Sequence, residues 1–346
     1  MSAGFVAVSW NRRKVVYDAL VVAGMFVFIG VHMTITAAGH PPTDRLGWID
    51  LRLKAFGACA FTMLSLILCI GPLARLDQRF LPLLYNRRHF GVLMFLTALA
   101  HASFMVEWYA VQGALGNLGG ELTTWADYSK FIGFPFKVLG IAALLILAFM
   151  AATSHDYWLA FLGPPVWKAL HMGVYAAFGF VMLHVALGVM QHERHWLVPA
   201  LFCGAFVLVS GLHILAGLGM RDGDGNAELA HDGWLIVGRP ETIKDKAARI
   251  VSAPGGERIA VFRDGRQIGA LSNLCAHQNG PLGEGCIVDG LVTCPWHGYQ
   301  YRLEDGCAPS PFTEKLATFR VRLRDGVIEV DPSPLPSGTR AAITLA

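Results

Sequence analysis

Four residues near the C-terminus carry the clearest chemistry in this 346-residue chain: Cys275 and His277 with one residue between them, then, sixteen residues later, Cys294 and His297 with two between them. Two thiolates and two imidazoles, each pair on its own short loop, are the donor set of a 2Fe-2S centre in which one iron takes two sulfurs and the other takes two nitrogens. A structural zinc site uses the same residue types but pairs like with like, as Cys-x2-4-Cys and His-x3-5-His, whereas each loop here supplies one of each. The pattern points to a one-electron carrier. Cys59, Cys69, Cys203, Cys286 and Cys307 show no pairing pattern and read as ordinary, mostly buried residues.

The flanks sharpen this reading. Asn279-Gly-Pro-Leu-Gly-Glu-Gly285 after the first pair and Gly298-Tyr-Gln-Tyr301 after the second resemble the Rieske ferredoxins and the Rieske domains of ring-hydroxylating oxygenases. The resemblance implies that Cys275 and Cys294 hold the inner iron and that His277 and His297 hold the solvent-facing one. It also implies that Gly306-Cys-Ala-Pro-Ser-Pro311 forms a third loop over the cluster. Where Rieske subunits of quinol:cytochrome c oxidoreductases carry an extra pair of disulfide-bonded cysteines, this chain has Gly280 and Trp296. Few hydrogen-bond donors to the cluster imply a potential at the lower end of the Rieske range, suited to passing electrons onward.

The first two-thirds of the chain is a different kind of object. The chain is 54% hydrophobic and 15% charged, with a mean hydropathy of +0.47, beyond what a soluble chain of this length shows. A bilayer core of ~30 Å takes about 20 residues of helix, and six apolar runs approach that length: 16–37, 52–74, 90–112, 135–153, 169–190 and 197–219. Arg12, Arg13 and Lys14 precede the first run, and Arg75, Arg79, Arg87 and Arg88 lie between the second and third, which assigns that side to the cytoplasm. Arg45, Arg52, Lys54, Lys130, Lys137 and Arg194 fall on the opposite side, so the bias is moderate. No small-residue cleavage site follows the basic start, so the first run reads as a span and not as a cleaved export signal. An even number of spans puts both termini, and the cluster domain, in the cytoplasm of a bacterial cell with the helices in its inner membrane. The formal net charge of +3 gives no argument for nucleic acid.

After Met220 the residues Arg221-Asp-Gly-Asp-Gly-Asn226 read as a polar linker. The periodicity then shortens to strands, with 259–262 and 267–271 flanking Asp264-Gly265, and 319–323 and 327–330 flanking Asp325-Gly326. Asp-Gly between alternating apolar runs signals a hairpin. The expected fold is multidomain: an all-α six-helix transmembrane bundle over 1–220, a linker over 221–230, an all-β Rieske domain with a cluster-binding subdomain over 231–331, and a loosely held tail over 332–346.

Ionisable groups inside apolar spans are costly and usually face the bundle interior. His32, His101, His171, His184 and His213 all lie at such depths. A b-type heme takes an imidazole from each of two facing helices. His101 and His184 both fall in the outer halves of their spans and form a plausible axial pair. His171 lies thirteen residues before His184, a rise of ~20 Å toward the inner face. His89 lies twelve residues before His101, off that face of an ideal helix, and His213 is an equal alternative as an inner partner. Residues 191–195, Gln-His-Glu-Arg-His, lack a carboxylate partner elsewhere and read as a solvated turn.

Arg87-Arg88, Gly91 and His101, followed by Thr153-Ser154, Leu162-Gly163, Trp167-Lys-Ala-Leu-His171 and His184, resemble the ferric-reductase-like membrane domains, in particular the heme-binding subunit that serves the periplasmic methionine sulfoxide reductase. The resemblance implies His101, His171 and His184 as heme ligands and one b heme, with a second allowed by the relation to NADPH oxidases. No G-x-G-x-x-G fingerprint follows a strand, so the flavin and nicotinamide domains that full-length ferric reductases append have no counterpart. A cytoplasmic reductase or ferredoxin is therefore the expected electron donor, with the cluster passing single electrons to membrane heme and on to an acceptor the sequence does not name. The alternative is a membrane-anchored Rieske ferredoxin feeding an oxygenase, without a heme wire.

Overall fold

The computed structural model describes residues 12–345 apart from 81–82, 84–86, 124–133, 163, 193–196, 224, 227, 254–256, 278, 296–297 and 311. The chain divides into two compact units, Met1–Ile70 with Asn86–Leu212 and Gly71–Tyr85 with His213–Ala346.

The first unit is helical. Its principal helices are α1 (Arg12–Gly39), α2 (Arg45–Leu76), α3 (Arg87–Val111), α4 (Lys137–Ala152), α5 (Gly173–Leu187) and α6 (Leu197–Gly223), the ends of α2 and α6 reaching into the second unit. Among the described residues, five apolar helical stretches are long enough to cross a bilayer: Val15–Gly39, Arg45–Leu76, Arg87–Val111, Val166–Gln191 and Val198–Leu218. The fourth expected span is shorter. As the 16-residue α4 it rises ~24 Å, so the six runs resolve into five full-length stretches and one short apolar helix. Large side chains left on the outside of the helices, Leu20, Phe26, Val27, Leu145, Phe149, Val207 and Ile214 among them, are what a lipid-facing surface presents. The linker begins later than expected, because α6 carries the helix through Arg221–Gly223.

The second unit is built from short strands: β1 (Gly225–Asn226), β2 (Leu235–Gly238), β3 (Ala248–Ser252), β4 (Arg258–Asp264), β5 (Gln267–Ser272), β6 (Cys286–Val288), β7 (Leu291–Thr293), β8 (Gln300–Arg302), β9 (Thr318–Phe319), β10 (Val321–Arg324), β11 (Val327–Val330) and β12 (Ile343–Thr344). They form a sheet ordered β1-β3-β4-β5-β12 with β9 also on β5, a sheet β10-β11-β2, and a small sheet β6-β7-β8. Every pairing is antiparallel except β1 with β3. The β10–β11 turn is Asp325-Gly326 with φ of 52° and 77°, and β6–β7 repeats it at Asp289-Gly290 with 52° and 77°. Positive φ at both central residues matches the twist of the flanking strands. One apolar core joins Leu235, Ile259, Val261, Ile268, Phe319, Ile328 and Val330 between the larger sheets. A second joins Phe262, Leu271, Leu282, Val292, Tyr301 and Leu316 to Cys275 and Cys294, and sets the small sheet against the large one.

The tail is not loose. Leu335 N–H donates to Thr318 O at 2.8 Å, Ile343 and Thr344 pair with Ile268 and Gln267 of β5, and Leu345 N–H donates to Arg266 O at 2.8 Å. Ile343 and Leu345 also pack against the first core. The proline-rich opening wraps the domain, and the alternating Ile343 and Leu345 then give the free edge of β5 a partner with one apolar face.

Candidate metal centres

Cys275 and Cys294 sit on loops of one design. In each, the cysteine N–H donates to the carbonyl five residues on, Gly280 or Tyr299, at 2.9 and 2.8 Å. Its own carbonyl accepts from the amide four residues on, Asn279 or Gly298, at 2.7 and 2.9 Å. Those two residues take the left-handed conformation, φ 55° and 69°, which glycine adopts at no steric cost and asparagine tolerates. Each loop therefore curls its cysteine inward, and both cysteines are buried, at 1% and 2% exposure, while Leu274 beside them stays out.

Tyr301, fully buried on β8, places its hydroxyl 3.3 Å from Cys275 Sγ. Burial, reinforced by Cys275, pushes the Tyr301 phenol far above its ordinary value, so it stays protonated. Once the cysteine sulfur is a thiolate ligand, only the hydroxyl has a proton to donate. His277 is half-buried, its ring stacked on Tyr299 at 4.8 Å and 9°, and the Tyr299 hydroxyl donates to the Glu314 carboxylate. Burial, then Glu314, raises the Tyr299 phenol as well. His297, Trp296 and Pro311 lie outside the described residues. Two buried sulfurs on matched loops, with an imidazole held by a stacked ring, fit the donor set of a 2Fe-2S centre ligated by both thiolate and imidazole.

In the sequence Tyr301 stands only as part of the flanking motif; on β8 it is the buried residue between half-buried Gln300 and exposed Arg302. A hydroxyl hydrogen bond to a ligand sulfur stabilises the more negative, reduced cluster. Tyr301→Phe is therefore expected to lower the cluster potential by roughly 20–60 mV, the one-electron equivalent of one hydrogen bond, with the cluster content unchanged. A redox titration followed by EPR reads this directly, and an unchanged or raised potential would remove Tyr301 from the tuning shell.

In the helical unit the structure brings His101 of α3 and His184 of α5 together. Their ring centres are 6.3 Å apart and their planes meet at 86°. Two imidazoles sharing one metal ion through bonds of ~2.0–2.1 Å put their ring centres about 6 Å apart. His101 Nδ1 lies 2.8 Å from Leu53 O and His184 Nδ1 lies 2.9 Å from Phe136 O. A carbonyl only accepts, so each Nδ1 carries the proton and each Nε2 keeps a lone pair for a metal. Gly57 and Gly140 let the rings lie close: a Cβ on Gly57 would meet His101 Nδ1 at 2.8 Å, and one on Gly140 would meet His184 Nδ1 and Cε1 at 2.8 Å. An iron between these two imidazoles fits the donor set of a b-type heme.

His171 is not part of that pair. It ends the helix Pro164–His171, donates from Nδ1 to Trp167 O at 3.0 Å, and stacks on Trp167 at 3.8 Å. Trp167 is itself fixed by its Nε1–H to Thr153 O at 2.8 Å. His89 turns elsewhere, with Nδ1 2.6 Å from Asp18 Oδ2.

Residues 233–320 match the Rieske 2Fe-2S domain family, and residues 56–190 match the ferric reductase like transmembrane component family. Among curated proteins, the chain is similar to the anthranilate 1,2-dioxygenase ferredoxin subunit of Burkholderia cepacia, 36% identical over 26% of this chain and 82% of that one. It is also similar to ferredoxin CarAc of Metapseudomonas resinovorans, 32% identical over 28% of this chain and 92% of that one. A solved complex of reduced oxygenase and oxidized ferredoxin in carbazole 1,9a-dioxygenase aligns over 30% of this chain and 96% of that chain, with 29% identity and a TM-score of 0.28.

Proposed function

The chain belongs to the Rieske family, with a ferric reductase-like transmembrane component fused ahead of its 2Fe-2S domain, and from that premise we propose that it carries single electrons between a cytoplasmic donor and an acceptor reached through membrane heme. The two families together make it a membrane electron-transfer protein with a Rieske domain. The heme route rests on the His101–His184 pair, whose ring centres lie 6.3 Å apart and whose imidazoles are each fixed in the tautomer that leaves Nε2 to a metal. Bound cluster and heme supply one-electron redox chemistry.

The protein's own residues bind and tune. Cys275, Cys294, His277 and His297 hold the cluster, with Tyr301 setting its potential. His277, stacked on Tyr299, is the edge nearest an incoming donor, a soluble reductase or ferredoxin. His101 and His184 hold the heme, and Leu53 and Phe136 orient them. The orientation read from Arg12, Arg13, Lys14, Arg75 and Arg79 keeps the Rieske domain in the cytoplasm of a bacterial cell, so that electrons enter there.

A second reading has its own support, because one curated relative described above is a dioxygenase ferredoxin subunit and the other a ferredoxin. In it the helices anchor a ferredoxin that serves an oxygenase. A reduced-minus-oxidised optical spectrum of the detergent-purified chain, with iron and acid-labile sulfide assayed on the same sample, separates the two. Sharp b-heme bands beside the cluster signal are the expected result. A Rieske signal alone, from heme-replete cells, would sink the wire and leave the anchored ferredoxin.

A further inference from the structure

The two hydrogen bonds that orient the imidazole pair are copies of one another. His101 stands 48 residues beyond Leu53, and His184 stands 48 residues beyond Phe136. In each case the glycine on which the ring rests, Gly57 or Gly140, follows the carbonyl residue by four positions. Leu53 with Phe136, Gly57 with Gly140, and His101 with His184 thus share one offset of 83 residues. The same offset matches Lys54 to Lys137, Ala60 to Ala143, Leu64 to Leu147 and Phe95 to Phe178. Ala60, Ala143, Leu64 and Leu147 are all buried. The segments α2–α3 and α4–α5 therefore carry two sequence repeats of one carbonyl–glycine–histidine pattern. The imidazole pair takes one ring from each repeat.

Thirteen residues before each of these histidines the repeats differ: the first has Arg88 and the second has His171. Thirteen residues of helix rise ~20 Å, so this is the equivalent level at the other face of the membrane. There the structure sets a guanidinium beside an imidazole. Arg88 Cζ lies 5.4 Å from the Trp167 ring, and Trp167 stacks on His171. His171 Nε2 is buried without a hydrogen-bond partner, so the second repeat offers a lone pair. The first does not, because a guanidinium stays protonated and has no acceptor nitrogen. The neighbouring His89 is engaged with Asp18.

We propose that the membrane unit holds a single heme, shared between its two repeats at the His101–His184 level, and that Arg88 closes the equivalent inner level to a second. The proposal rests on the heme-binding reading given above and goes beyond it in fixing the stoichiometry and in removing His171 from the ligand set. His171 is then a packing residue of the inner end, held by Trp167.

The test is the heme-to-protein ratio of the full-length, detergent-purified chain, by pyridine hemochromogen absorbance against quantitative amino-acid analysis. A ratio of one is expected, together with a heme redox titration that follows one single-electron curve. In His171→Ala the ratio stays at one; should that variant fail to accumulate, His171→Phe, which keeps a ring against Trp167, is measured instead. A ratio of two in the unaltered protein overturns the proposal while leaving the heme-binding reading standing. So does loss of heme from either variant when its 2Fe-2S signal is intact. A ratio of zero from heme-replete cells overturns both.

Discussion

His184→Ala is expected to remove the b-heme absorbance completely and to leave the Rieske signal at full strength. One of two imidazoles whose ring centres lie 6.3 Å apart is deleted, while Cys275, His277 and Cys294 belong to the other compact unit. The residual His101 keeps its tautomer, because its Nδ1 proton goes to Leu53 O on α2 and not to the altered helix, but a single imidazole leaves one face of the iron unligated. His101→Ala should behave identically, since the environments of the two rings are matched carbonyl for carbonyl and glycine for glycine. Electron transfer into vesicle-enclosed acceptors, from a chemically reduced cluster outside, should fall to the background of empty liposomes in both variants. If transfer persists in protein that has lost its heme, electrons leave the cluster by another route and the helices are an anchor. If heme persists in both single variants, the imidazole pair is not its ligand set.

Much of the cluster site was legible in sequence because its donors are rare residue types at fixed short spacings, and the loops that carry them are local. The Asp325-Gly326 hairpin was legible for the same reason: turn chemistry is decided within four residues. What escaped was nonlocal. Tyr301 looks like any aromatic in a strand until the fold places its hydroxyl 3.3 Å from a sulfur 26 positions away. The tail, rich in proline and small residues, looks loose by composition, yet two apolar side chains at alternate positions suffice to make an edge strand once β5 offers a free side. His101 and His184 were readable by depth alone, whereas the repeat behind them is written in a glycine, a carbonyl and an alanine that carry no chemical signal of their own. His171 illustrates the converse. Its residue type and depth suggest a ligand, whereas the structure stacks it on Trp167, with Arg88 over the same indole.

Gly57→Ala and Gly140→Ala are each expected to weaken heme binding by about 10–100-fold, the range typical when residues behind metal ligands are altered, without touching a ligand. Alanine is the better helix former by roughly 0.5–1 kcal/mol in a helix interior, so local helix stability should rise. Heme retention should nonetheless fall. The added Cβ meets His101 Nδ1 or His184 Nδ1 at 2.8 Å, inside any tolerable contact, and the ring it strikes is tied to a carbonyl one turn earlier on the same helix as the glycine. The imidazole cannot both keep that hydrogen bond and retreat from the methyl, so its Nε2 swings off the line to the iron. Gly91→Ala is the control, because a Cβ there meets nothing within 4 Å, and heme content should be unchanged. Heme titration of apo-protein by absorbance, beside thermal unfolding of the same samples, separates the two contributions. Loss of heme with unchanged or raised thermal stability of the apo-protein identifies the glycines as the surfaces on which the axial rings are set. Unchanged heme affinity in both variants would mean that the rings do not lie where these glycines hold them, and the repeat argued from them would fall with that placement.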